Sequence, residues 1–123
     1  MDKLTEEMVI QIHNLIIDET GGEPGIRDEA TLYFLVDAIN REDDVFKKAA
    51  LALLLAERHP FWDGQKRTAY LLARSLLNDE GYDLNLDDDE VIRVMIKIAE
   101  YRCPEGEELE TVFKWVMKKV CKL

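Results

Sequence analysis

The stretch HPFWDGQKRT at positions 59–68 holds an imidazole, a carboxylate, a glycine and a Lys–Arg pair within one turn of chain. The first N–H groups of a helix lack an intrahelical acceptor and sit at the positive end of its dipole, so a helix start is an anion site. A helix opening at Asp63 or Gly64 places that site inside the motif. Gly64 lets backbone approach a ligand closely, and Lys66 and Arg67 add formal charge to the same turn. His59 and Asp63 flank it, supplying a candidate base and a hard oxygen ligand. A base, a carboxylate and a phosphate cradle in one place imply phosphoryl or nucleotidyl chemistry.

The motif needs helices on both sides, and the periodicity supplies them. Upstream, AALALLLAE at 49–57 is apolar nearly all round, which places it at the centre of the core. The helix carrying it is predicted to start at Asp43 or Asp44, run through Arg58 and stop at Pro60, leaving His59 at its C-terminal end. Downstream, Ala69, Leu72, Ala73, Leu76 and Leu77 form one stripe, ended by Gly81. Thr5 is predicted to cap a first helix with Met8, Val9, Ile12, Leu15 and Ile16 inward. His13 falls on the edge of that stripe and is expected to be a core-edge or partly exposed histidine. The loop TGGEPGIRD at 20–28 follows, and Asp28 is predicted to cap a second helix with Leu32, Leu35, Val36 and Ile39 buried.

Beyond the motif helix, residues 82–86 alternate like a strand but have no evident partner, so extended loop is expected. Asp87 with Glu90 reads as a capping box, with Val91, Val94, Met95 and Ile98 facing inward. Cys103–Pro104 should break the chain. A last helix is predicted from about Glu107, carrying Leu109, Val112, Phe113, Val116, Met117 and Val120. The fold class is therefore all-α, about six helices in one domain over 1–123.

Composition narrows the function. With 123 residues and 47% apolar content, one packed core is expected. Lys plus Arg number 16 against 26 Asp plus Glu, and the net charge of -10 argues against nucleic-acid binding. Cys103 and Cys121 stand in no metal-ligand spacing and read as buried, reduced thiols. The first seven residues lack the pattern of a secretory signal, and the apolar run at 49–56 is too short to span a bilayer. A soluble, cytoplasmic protein without membrane contact is the expectation.

The motif with its following alanine, residues 59–69, resembles the signature of Fic/Doc proteins, and of the Doc (death-on-curing toxin) branch in particular, which reads roughly H-x-F-x-[DN]-[AG]-N-K-R-T-A. The segment GG-x-x-GIRD-x-x-x-L at 21–32 and NDEGY at 78–82 are similar to the same branch. Fic adenylyltransferases carry Gly at the position of Lys66. The family has Asn at the position of Gln65, whose longer side chain caps a helix poorly.

The resemblance implies a compact helical domain and a transferase using ATP and Mg2+. His59 would be the general base. Asp63 would hold the metal, and Gly64, Gln65, Lys66 and Arg67 would cradle phosphates. Phe61 would anchor the loop. Lys66 and Arg67 would act directly on the transferred group. Gly25, Ile26 and Arg27 would meet the protein acceptor. A lysine at position 66 crowds the site that adenylyl transfer uses for the α-phosphate, which implies transfer of the γ-phosphate instead. The implied role is a toxin kept in check by a separate antitoxin, with a translation component as the kind of target. Adenylyl transfer, or a binding module disabled by Gln65, are the alternatives. The family's inhibitory pattern [ST]-x-x-x-E-[GN] is not met; Ser75 to Gly81 comes nearest, with Asp79 where Glu belongs.

Overall fold

The computed structural model describes residues 3–100 and 107–123. The helices are α1 (Glu6–Thr20), α2 (Glu29–Arg41), α3 (Val45–Leu53), α4 (Leu55–Arg58), α5 (Gln65–Asp79), α6 (Asp88–Ala99) and α7 (Glu107–Lys119). Residues 103 and 104, where a chain break was expected, lie outside the described residues.

Local chemistry sets the boundaries. Thr5 Oγ1 accepts from the Met8 N–H, and Gly21 ends α1 at φ 77°. Asp28 caps α2 through the Thr31 N–H, and Asp44 caps α3 through the N–H groups of Phe46 and Lys47. Each such cap satisfies donors that the first turn leaves orphaned, contributing about 1 kcal/mol. Asp87 caps α6 through the Glu90 N–H, but the Glu90 carboxylate pairs with Lys119 of α7 at 2.7 Å instead of closing the box. The capping box is therefore half formed.

α3 and α4 are two parts of the central helix, interrupted by a turn at Leu54. Every residue from 49 to 56 is buried. α5 and α7 pack on α3, α1 packs on α5, and α6 packs on α4 and α5. At about 1.5–3 kcal/mol for each fully buried leucine, this run makes a substantial contribution to the core. Asn40 ties the N-terminal segment to α2, exchanging hydrogen bonds with the Leu4 N–H and carbonyl at 2.9 and 2.8 Å.

Five expectations are corrected. The stretch after α5 is not a loop: β1 (Tyr82–Leu84) pairs antiparallel with β2 (Val120–Lys122), Asp83 opposite Cys121. Val120 consequently leaves the last helix, and Cys121 is exposed because it lies on an edge strand. Met117 is 46% exposed, outside the face set by Val112 and Val116. In α1 the buried positions are Val9, His13 and Ile16, while Met8 and Leu15 face out, so the buried face is rotated towards His13.

Candidate functional site

The α3–α4 rod ends at His59, which takes left-handed geometry (φ 53°, ψ 57°), the sole non-glycine positive φ among the described residues. Its side chain is exposed. Pro60 follows and cannot extend the helix. Phe61 is fully buried and Trp62 swings out at 55% exposure. Gly64, at φ 77°, forms the N-cap of α5. A Cβ there would meet Ile17 at 3.4 Å and the His13 ring at 3.5 Å, ordinary contact distances, so it is the positive φ that favours glycine.

The start of α5 carries no side-chain cap. Its first N–H groups therefore remain available to an anion, and Lys66 and Arg67 are exposed in that same turn. The cap position is Gly64, which has no side chain to offer, and the first helical residue, Gln65, is engaged elsewhere. Its side chain turns inward, is 5% exposed, accepts from the Phe61 N–H at 3.1 Å and donates to the Phe61 carbonyl. The amide thereby closes the loop on itself and leaves the backbone donors of α5 unblocked.

Asp63 is exposed, with Oδ2 accepting from the Glu23 N–H at 2.7 Å. That bond fixes the carboxylate on the glycine loop and leaves Oδ1 for a ligand. Gly22 permits the closeness, since a Cβ there would lie 3.2 Å from Asp63 Cβ. Among the described residues no group of three His, Cys, Asp or Glu could hold a metal ion. Asp63 alone fits the way Mg2+ is held in phosphate sites, by one or two carboxylates, substrate oxygens and water.

The glycine loop meets the motif as a short antiparallel bridge, Ile26 opposite Phe61. The Arg27 and Asp28 N–H groups donate to the Pro60 carbonyl at 2.8 and 3.1 Å, and Trp62 donates to Gly25 at 3.5 Å. In such a pair the central residue's own N–H and C=O point to the far edge. Ile26 is half-buried and Arg27 exposed. The Arg27 guanidinium turns to the motif, donating to the His59 carbonyl at 2.7 Å and to Arg58 at 3.5 Å.

His13 corrects the sequence reading most. It is buried at 1% exposure, stacked on Phe61 with centroids 3.8 Å apart and planes 6° from parallel. Its Nε2 lies 2.7 Å from the Asp63 carbonyl. A carbonyl can only accept, so that nitrogen carries the proton. The burial of a histidine in a helix interior by a loop 50 residues away has no local sequence signature. The one hint was its place beside Ile12, one position off the expected stripe.

The structure thus gathers His59, Asp63, Gly64, Lys66 and Arg67 on one loop and helix start, with Gly25, Ile26 and Arg27 bridged to it. Phe61 and Gln65 stand behind that surface, and their side chains serve by holding the loop. No helix among the described residues is long and apolar enough to cross a membrane. A sequence profile described as the Fic/DOC family matches residues 3–77, from the segment before α1 to near the end of α5. Curated proteins yield no match.

Proposed function

Because the chain belongs to the Fic/DOC family, we propose that it moves the γ-phosphate of ATP onto a hydroxyl of a protein, as the toxin of a toxin–antitoxin pair. Members of this family are generally enzymes that transfer nucleotide or phosphate groups to proteins, using ATP with Mg2+. The observation that carries the finer reading is Lys66, exposed in the uncapped first turn of α5. A cation projecting there occupies the room that an α-phosphate needs and favours the opposite pose of the nucleotide, γ-phosphate inward.

The chemistry follows from that pose. A ring nitrogen of His59 accepts the proton of the acceptor hydroxyl. The oxygen bonds to the γ-phosphorus as the bond to the bridging β–γ oxygen breaks, and ADP leaves. The backbone N–H groups at the start of α5 hold phosphate oxygens, while Lys66 and Arg67 oppose the charge spread over the transferred group. Arg67 offers a planar fork to two oxygens at once. Asp63 Oδ1 would hold Mg2+, which neutralises phosphate charge when bound. The acceptor segment adds to the free edge of Ile26 as an extended strand, beside Gly25 and Arg27.

Control comes from a separate antitoxin, since the chain meets no inhibitory pattern of its own. A toxin requires a removable inhibitor, and a partner that orders only on binding is readily degraded. Against a net charge of -10, its contacting segment carries Lys or Arg together with apolar anchors.

The test is incubation with ATP labelled separately at the α and γ positions, with cell extract as the source of acceptors. Label on protein from γ alone supports phosphorylation. Label from α alone makes the chain an adenylyltransferase, and label from neither makes it a binding module. Expression of the wild type should arrest growth where the His59→Ala variant does not; normal growth with folded wild-type protein present counts against the toxin.

A further inference from the structure

We infer that Arg27 is a positioning residue for His59, acting through the backbone of the turn; the inference rests on the proposed role of His59 as the base. Arg27 reaches three consecutive carbonyls. Its own N–H donates to Pro60 at 2.8 Å, its Nε to His59 at 2.7 Å and its Nη2 to Arg58 at 3.5 Å. No other residue of the glycine loop contacts the turn so broadly.

The turn needs such support. His59 stands in left-handed geometry, which is strained for a non-glycine residue. Pro60 does not favour it, because a residue before proline is biased towards extended backbone. The local sequence therefore pulls His59 elsewhere. Carbonyls at the end of a helix lack intrahelical donors and lie at the negative end of the dipole, so a guanidinium there is stabilising twice over. A planar fork holds neighbouring carbonyls in fixed relation, which a flexible ammonium cannot do.

Arg27 is itself held on both sides. Ile26 before it bridges Phe61, and Asp28 after it caps α2 while its N–H donates to Pro60. The start of α2 and the end of α4 are thus joined through one residue. The ring is presented by an exposed residue just before buried Pro60 and Phe61, and Arg27 holds the exposed side of the turn that burial does not. This assigns its guanidinium to the motif rather than to the acceptor.

The chain has two histidines, His13 and His59, so protein labelled with carbon-13 and nitrogen-15 in histidine alone gives two sets of signals. In the wild type the His59 backbone should carry the shifts of left-handed geometry. In Arg27→Ala those signals should move towards the extended range and broaden, while those of His13 stay. Arg27→Lys keeps the charge but not the fork, and should loosen His59 as well. It decides the matter if the alanine variant does not fold. Unmoved His59 signals in a folded Arg27→Lys would overturn the inference. In the same variants phosphate transfer at saturating ATP should fall about ten- to hundredfold, with KM for ATP level. A wild type that transfers nothing but shows the His59 response refutes the function while sustaining the positioning role. A wild type that transfers normally alongside a variant with unmoved His59 signals does the reverse.

Discussion

His13 packs against the motif loop and His59 opens it, and their environments differ in burial, backbone and partners. His13 sits inside α1, buried, stacked on Phe61 and bonded to the Asp63 carbonyl. His59 sits at a helix end, exposed, in strained backbone held from outside by Arg27. A buried ring with its donor engaged works as a post. An exposed ring with no engaged partner is free to take a proton. Residue type alone could not divide these roles; burial and hydrogen bonding do.

The widest split between the two is in rate. His59→Ala should cost about two to four orders of magnitude in transfer while leaving nucleotide binding and the melting temperature nearly unchanged. His59→Gly should be equally inactive yet at least as stable as the wild type, because glycine takes positive φ without strain. Thermal melts beside transfer assays check both, and a large loss of stability in either variant would erase the contrast.

His13→Ala should act the other way, costing about 2–4 kcal/mol of stability through a lost stack, a lost donor and a cavity against Phe61. Denaturant unfolding measures it, and any loss of activity should track the loss of the folded loop. Gly22→Ala sharpens the point. A Cβ 3.2 Å from Asp63 Cβ, at φ 116°, should cost about 1–3 kcal/mol and weaken Mg2+-dependent ATP binding, measured by calorimetry.

The smallest effect lies away from the loop. Arg74 donates to both carboxylate oxygens of Asp83 at 2.8 and 2.7 Å, and this holds the Asp83 carboxyl at about 2 against an ordinary 3.8. A depressed carboxyl stabilises the fold above its unfolded value, and that contribution fades as pH falls from about 3.8 through about 2. Arg74→Ala should therefore lose roughly 1 kcal/mol at neutral pH, the pair being partly exposed and screened. It should also lose the part of the acid dependence that belongs to this window. Transfer should be untouched, since α5 meets the sheet at its far end from Lys66.

Much of this protein is decided within a few residues of chain. The caps at Thr5, Asp28, Asp44 and Asp87 were legible because a side-chain oxygen satisfies donors two or three residues on. The central helix was legible because the run at 49–56 is apolar on every face, and the motif because its residue types and spacing are confined to one turn. What depended on distant partners was not. β1 has no meaning without β2 about forty residues later, since a strand is defined by the edge it pairs with. The phase of α1 is not legible locally, because a histidine on its buried face is acceptable only when a remote carbonyl receives its proton. The left-handed turn at His59 and the grip of Arg27 on it follow the same rule. Local sequence determines what a few bonds can satisfy. Polar groups whose partners lie far along the chain are placed only when the tertiary fold brings those partners within reach.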